Sequence, residues 1–148
     1  MKTCFFIGHR DAPESVYDRL LTVVEHHISE YGVTDFVVGR YGNFDRLAAR
    51  AVMEAKQRRS DVTLTLLMPY YRTDAEPLPD GFDGSLFSDD LETVPKRAAI
   101  LRANQYMIHH CDYLIAYDAG RIGNTRRLVA EAKKIERLHI ENIALIPE

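Results

Sequence analysis

Short apolar runs alternate along the chain with longer segments whose apolar residues recur at helical spacing. The apolar runs span residues 4–7, 35–38, 62–67, 113–117 and 142–146. Brief, mostly apolar runs bounded by polar residues are typical of strands that are buried on both faces, as in a parallel sheet. The pattern therefore predicts five strands.

Four segments between these runs have the periodicity of amphipathic helices. They cover about residues 16–31, 44–58, 95–110 and 125–138, and Gly32 is a stop signal for the first. Strands that alternate with helices favour a parallel sheet with right-handed crossovers and helices on both faces. The sequence thus predicts one Rossmann-like α/β domain over residues 1–148, whose halves meet near the first and fourth strands.

Residues 69–93 follow neither periodicity. The segment is rich in proline, glycine and acidic residues. Loops of this length are often lids, binding loops or mobile connections. Three apolar side chains, Phe82, Leu86 and Phe87, predict that part of the segment packs against the domain.

Composition narrows the class of protein. A chain of 148 residues with 46% hydrophobic residues is long enough for one core, and its net charge of −3 gives no general attraction for nucleic acid. Two cysteines are too few for a disulfide scaffold, so we expect a reduced, cytoplasmic setting. No apolar stretch approaches the ~20 residues of a membrane span, and the start of the chain lacks the core of a signal peptide. We expect a protein with no membrane partner and no processing.

Glycine-containing turns follow three of the predicted strands, at residues 8–10, 39–43 and 118–125. Ligands of open parallel sheets bind at this carboxyl edge, where helix N-termini and their free N–H groups favour an anion. We therefore expect one site for a phosphate-bearing ligand. Its candidate residues are Gly8, His9, Arg10, Gly39, Arg40, Gly42, Asp45, Asp118, Gly120, Gly123, Asn124 and Thr125.

Each turn also has a purely structural interpretation. Glycine is the default residue of tight turns, and the alternative role of Asn124 or Thr125 is only to cap the fourth helix. Asp45 either accepts a hydrogen bond from a ribose hydroxyl or complements a helix dipole, and Asp118 either addresses a ligand or starts a turn. A binding site is favoured because arginine matches phosphate and three arginines lie on the same predicted edge: Arg10, Arg40 and Arg121.

Several common chemistries find no support in the sequence. It contains neither the GxGxxG dinucleotide fingerprint nor a GxxxxGK[ST] phosphate loop, which argues against an ordinary NAD dehydrogenase or ATPase. The adjacent histidines at 26–27 and 109–110 diverge by about 100° on a helix and are poorly placed to share a metal. Neither Cys4 nor Cys111 has a partner at metal spacing, so the sequence predicts no metal site.

Four segments in order resemble the YpsA-like family of the SLOG superfamily, which also contains the DprA and LOG proteins. They are CFFIGHR, GRYGNFDRLAARAV, PYY and NQYMIHHCDYLIAYDAGRIGNT, and the resemblance covers almost the whole chain. It implies a Rossmann-like fold, a homodimer, and a pocket for nucleotides or derivatives such as ADP-ribose. It does not fix a reaction.

The family's turn motifs match this chain at Gly8, His9, Arg10, Gly39, Gly42, Phe44, Asp45, Gly123 and Thr125. Arg40 and Asn124 replace the second members of the family's glycine pairs. Their side chains either fill space otherwise open to a phosphate, or the Arg40 guanidinium replaces a backbone donor.

The LOG branch consists of phosphoribohydrolases that use an arginine and a glutamate, and the resemblance aligns Ala103 and Leu128 with those two positions. Arg102 and Glu131 lie near in sequence but at other helix angles. We therefore expect a nucleotide-binding or sensor domain without efficient activity of this type.

One alternative is a hydrolase of N-glycosidic bonds with a relocated acid or base at Asp45, Asp118 or Glu131. Nucleic-acid binding, by analogy with DprA, is disfavoured by the acidic charge.

Overall fold

A six-stranded parallel sheet forms the centre of the computed structural model, which describes residues 2–69, 77–87 and 95–145. The strands lie in the order β4-β3-β2-β1-β5-β6. The Rossmann-like α/β fold predicted from the sequence is confirmed, and the order reverses at the pair β1 and β5, the first and fourth predicted strands. The strands are β1 (Thr3–Gly8), β2 (Asp35–Val38), β3 (Thr63–Leu67), β4 (Gly84–Leu86), β5 (Tyr113–Tyr117) and β6 (His139–Asn142).

Four helices cover the sheet: α1 (Tyr17–Tyr31), α2 (Asn43–Lys56), α3 (Lys96–His110) and α4 (Asn124–Ala132). Helix α1 ends at the predicted stop, Gly32, whose φ of 71° is left-handed. Helix α4 ends before the predicted 138, because successive turns after Ala132 bring Leu138 into the core immediately before β6. Among the described residues, none of the helices combines the length and apolar character that crossing a bilayer requires.

Successive residues of β1 enter cores on opposite faces of the sheet. Cys4 and Phe6 pack with α1 and α2, whereas Phe5 and Ile7 pack with α3 and α4. Side chains alternate along a strand, so a strand covered on both faces is apolar throughout. This double burial explains the uninterrupted apolar runs of the sequence.

Both edges of the sheet differ from the prediction. The last strand is His139–Asn142 and not the predicted 142–146. It is an edge strand that contains the polar residues His139 and Glu141, so it lacks the apolar character that the prediction relied on. The apolar residues after it form a 3-10 turn, Ile143–Leu145. Strand β4 is a three-residue edge strand that pairs with β3 inside the segment predicted as a loop. Phe82 and Leu86 pack against the cores as expected, and residues 70–76 and 88–94 of that segment lie outside the described residues.

The end of β1 packs against the beginning of α2 without room for a side chain. A Cβ added to Gly8 would lie 2.3 Å from ring carbons of the fully buried Phe44. Because the ring is enclosed by core residues, it cannot move aside cheaply.

We expect Gly8→Ala to lower the free energy of unfolding by about 1–3 kcal/mol, as overpacking of a core does. Urea denaturation measures the change. Gly84→Ala is the matched control, since a Cβ there meets nothing within 4 Å, and its effect should stay within about 0.5 kcal/mol. Equal effects of the two substitutions would contradict the packing at Gly8.

Candidate functional site

A cavity of about 960 Å³ lies at the carboxyl edge of the sheet. Its floor is the end of β1, and its walls come from the turns after β2 and β3, from α3, and from the loop that enters α4. The cavity thus occupies the point where the strand order reverses, which is where open α/β sheets bind ligands. Its volume falls within the range of small-molecule sites, about 300–1,000 Å³.

All three predicted turns reach this one cavity. The lining contains eight of the twelve candidate residues: Gly8, His9, Arg10, Gly39, Asp45, Gly123, Asn124 and Thr125. It also contains residues that the sequence analysis did not assign to the site, among them Tyr41, Leu67, Asn104 and Ile122. Asn104 is a polar residue within the apolar stripe formed by Leu101, Met107 and Ile108 on α3, and that interruption was the available signal in the sequence.

The four remaining candidates lie outside the lining. The backbone at Gly42 packs on Arg10, where an added Cβ would approach its Cα to 2.7 Å. Asp118 accepts a hydrogen bond from the N–H of Gly120 at 3.0 Å and so shapes the loop after β5. The side chain of Arg40 is exposed to solvent. Gly42, Asp118 and Gly120 therefore build the turns, and only their neighbours face the cavity.

Hydrogen bonds within the protein fix the turn that enters α2. Asp45 accepts a hydrogen bond from the N–H of Tyr41 at 3.0 Å, and Asn43 donates its N–H to the carbonyl of Arg10 at 2.8 Å. A Cβ on Gly39 would lie 2.9 Å from Oδ2 of Asp45, so glycine at this position makes room for the carboxyl group. These contacts place a carboxyl group beside a helix start that no side chain caps.

The carboxyl group of Asp45 is unusual in its acidity. Burial raises its pKa from 3.8 to about 7, while the bond from Tyr41 and the charge of Arg10 act in the opposite direction. Burial disfavours the charged form, so near neutral pH the group exists both as acid and as carboxylate. It can donate or accept a hydrogen bond, or exchange a proton, with a molecule in the cavity.

The N-terminus of α4 differs from that of α2 in its charge. Gly123 precedes the helix with a φ of 148°, and, as at Gly42 before α2, no described side chain caps this terminus. A Cβ on Gly123 would meet nothing within 4 Å, and the first turn carries no acidic residue. The backbone N–H groups of a helix start carry partial positive charge. Asn124 and Thr125 bring this charge to the cavity wall.

His9 fastens the turn after β1 to the turn after β5. Its Nε2 accepts a hydrogen bond from the N–H of Ala119 at 2.9 Å, and its ring packs edge-on against Tyr117 at 5.5 Å. Burial lowers the pKa of His9, the charge of Arg121 lowers it further, and Asp118 and Asp11 oppose them. Because Nε2 is an acceptor, the hydrogen-bond pattern assigns the neutral ring with its proton on Nδ1.

Arg121 and Asp11 form a second link between the same turns. Nη1 of Arg121 lies 2.8 and 2.7 Å from the two carboxylate oxygens of Asp11. The hydrogen bond from Arg121 lowers the pKa of Asp11 and the bond to Asp11 raises the pKa of Arg121. A ligand anion that binds Arg121 has to compete with this carboxylate.

Comparison with known proteins assigns no family to the chain. No protein-family model matches it, and no curated protein matches its sequence. The YpsA-like and SLOG resemblance stays a prediction from the motifs, and the function is argued from the geometry of the cavity.

We expect the raised pKa of Asp45 to appear in the pH dependence of stability. The folded protein binds this proton more tightly than the unfolded chain does, so the contribution of Asp45 to the free energy of unfolding falls as pH rises from about 4 to about 7 and is constant above. Asp45→Asn keeps an acceptor for Tyr41 but removes the titration. The difference in unfolding free energy between wild type and Asp45→Asn, measured by denaturant titration across this range, should change with that sign, and a flat difference would contradict the assignment.

Proposed function

We propose that this domain binds a nucleotide or nucleotide derivative of the ADP-ribose type in the cavity at the β1/β5 reversal. The observation that carries the proposal is the start of α4 at the wall of the cavity, whose first turn carries no acidic residue, whereas the first turn of α2 carries Asp45. One end of the cavity therefore suits an anion and the other suits a neutral polar group.

The phosphate end of the ligand would lie at the start of α4. The N–H groups of residues 124 and 125 provide directed donors there, and glycine at position 123 permits close approach. Arg10 lines the same cavity and supplies a positive charge. A guanidinium group matches the geometry of phosphate oxygens.

The sugar and base would extend toward Asp45 and the α3 wall. A partly buried carboxyl group accepts hydrogen bonds from ribose hydroxyls, as acidic residues do in other dinucleotide sites. Leu67, Leu101 and Leu128 give the wall an apolar surface for a base. Ile122 lies at the rim with 93% of its surface exposed, so its side chain is free to cover an apolar face of the ligand.

The family resemblance supports the same ligand class. Seven of the residues matched to the YpsA-like motifs line the cavity: Gly8, His9, Arg10, Gly39, Asp45, Gly123 and Thr125. We propose on these residues that the chain is a SLOG-type domain.

We expect ADP-ribose and AMP to bind in isothermal titration calorimetry, and adenosine to bind more weakly because it lacks the phosphate. Arg10→Ala should weaken ADP-ribose binding by at least about 10-fold through loss of a charge-assisted hydrogen bond. Arg59→Ala removes an exposed arginine beyond the far end of α2 and should leave the affinity unchanged. Equal affinity for adenosine and AMP, or no effect of Arg10→Ala, would contradict the phosphate site.

A second candidate is hydrolysis of an N-glycosidic bond, and the raised pKa of Asp45 in the cavity favours it. The other two candidate carboxylates are placed elsewhere. Asp118 lies outside the lining, and Glu131 contacts His109 at 3.6 Å and Gln105 at 3.4 Å. Ala103 and Leu128, aligned with the LOG catalytic pair, line the cavity but carry no charge. Asp45 is the carboxyl group that such a reaction would have to use.

We expect the purified protein to release adenine from AMP far more slowly than an efficient phosphoribohydrolase does, if it releases any. Loss of a positioned acid or base alone costs about 10² to 10⁴ in rate. Chromatography of the free base measures turnover, with Asp45→Asn and Glu131→Gln as the test and control variants. Robust release that Asp45→Asn abolishes and Glu131→Gln preserves would replace the binding domain with an Asp45-dependent hydrolase.

A further inference from the structure

Three side chains with metal-binding atoms meet at the amino ends of the strands, whereas the cavity lies at the carboxyl ends. One nitrogen of His27, one nitrogen of His139 and one carboxylate oxygen of Glu141 lie within 4.8 Å of one another. His139 is the first residue of β6 and pairs with Tyr113, the first residue of β5. The cluster thus lies near the amino ends of the strands, and none of its three residues lines the cavity proposed to bind a nucleotide.

The fold brings these residues together from the two ends of the chain. His139 and Glu141 are two positions apart on β6 and therefore face the same side of the sheet, while Ile140 packs in the core on the other side. His27 lies on the buried face of α1, which covers the side that His139 and Glu141 face. The neighbouring His26 is exposed on the same helix.

His27 has an unused acceptor that is completely buried. Its Nδ1 donates to the carbonyl of Val23 at 2.8 Å, which fixes the proton on Nδ1 and leaves a lone pair on Nε2. Nε2 has no hydrogen-bond partner among the described residues, although the side chain has no exposed surface. A buried acceptor without a partner is unfavourable in a native protein, and a bound ion would satisfy it.

The orientation of His27 is the one that metal-binding histidines adopt. Such histidines usually donate their second ring N–H to a backbone carbonyl or carboxylate, which fixes the tautomer and aims the other nitrogen at the ion. The hydrogen bond from Nδ1 to Val23 thus leaves Nε2 without a proton, as a metal ligand has to be.

Aromatic rings enclose the cluster. Tyr31 and Tyr113 stack with their centroids 5.2 Å apart, and the ring of Tyr31 lies 5.0 Å from His27 and 5.1 Å from His139. The ammonium group of Lys2 lies 5.9 Å from the Tyr113 centroid and donates to the carbonyl of Tyr31. The rings exclude water from the buried side of the cluster, and the exposed His139 marks its open side.

We propose that Nε2 of His27, one ring nitrogen of His139 and the Glu141 carboxylate bind one Zn²⁺-type transition-metal dication. Two imidazoles and a carboxylate suit Zn²⁺ and its neighbours, whereas Ca²⁺ and Mg²⁺ require oxygen ligands. Ligands of tetrahedral Zn²⁺ lie about 3.4 Å apart at bond lengths near 2.0–2.1 Å, so a small rotation of His139 and Glu141 closes the site.

The ion would join the edge strand β6 to α1. Among the described residues, strand β6 pairs with β5 alone, and it is held otherwise by the core contacts of Ile140, by the hydrogen bonds between Asn142 and Asp118, and by the turn that follows it. Ion binding therefore raises the free energy of unfolding by RT ln(1 + [Zn²⁺]/Kd).

The test is calorimetric titration of tag-free, chelator-treated protein with ZnCl₂. We expect one saturable Zn²⁺ per chain and a rise in the thermal unfolding temperature. His139→Ala changes an exposed side chain and removes a direct ligand of the ion. Loss of an outer-shell partner weakens metal binding by up to about 100-fold, so loss of a direct ligand should weaken it by at least that factor. Glu141→Gln should also weaken it, and His26→Ala, the matched exposed histidine, should leave binding unchanged. His27→Gln should abolish binding but removes a core side chain, so the conclusion depends on the other three variants.

A second readout uses Co²⁺ in place of Zn²⁺. Tetrahedral coordination gives visible absorption that should appear in wild type and His26→Ala and vanish in His139→Ala. The proposal is overturned if Zn²⁺ does not saturate at one equivalent, if His139→Ala binds as tightly as wild type, or if His26→Ala loses as much affinity as His139→Ala. Failure of nucleotide binding leaves these results unaffected, because the two sites lie at opposite ends of the strands.

Discussion

The pairing of β1 with β2 on one side and β5 on the other is the constraint on which the site depends. Helices α1 and α2 cover one face of the sheet, and α3 and α4 cover the other. The chain therefore leaves the neighbouring strands β1 and β5 toward opposite faces. Their turns diverge, and the cavity lies between them.

Direct contacts hold the diverging turns in place without a ligand. His9 accepts the N–H of Ala119, and Arg121 pairs with Asp11, so the turn after β1 is fastened twice to the turn after β5. The turn after β2 is fixed by Asn43, which donates to the Arg10 carbonyl. A site assembled in advance spends less free energy on ordering its own groups when a ligand binds.

The two helix starts at the cavity differ in charge. Both follow a glycine and neither is capped by a side chain, but the first turn of α2 carries Asp45 and that of α4 carries no acidic residue. A phosphate would meet repulsion from the ionised form of Asp45 and attraction from the N–H groups of α4. This asymmetry gives the proposed ligand a direction in the cavity.

The sequence predicted the central strands well, because double burial makes them apolar throughout. It missed the sheet edges, since β4 has only three residues and β6 presents His139 and Glu141 in an otherwise apolar region. The three turns could be placed at one edge by topology alone. The sequence could not predict which side of each turn faces the cavity. Gly42 and Asp118 support the turns through contacts with Arg10 and Gly120 that only the folded chain makes.

The meeting of His27 with His139 and Glu141 was equally hidden. His26 and His27 are adjacent in sequence, but their side chains point in different directions from the helix. The residues that lie near His27 are His139 and Glu141, which belong to the last strand of the sheet. Local spacing carries no information on such a distant contact.

Amide chemical shifts of ¹⁵N-labelled protein titrated with ADP-ribose test the central claim most directly. The account predicts the largest shifts at the backbone N–H groups of Asn124 and Thr125, which gain a phosphate, and smaller ones at Tyr41 and Asn43, which already have partners. Saturable shifts at the start of α2 with none at the start of α4, or no saturable shifts at all, would contradict it.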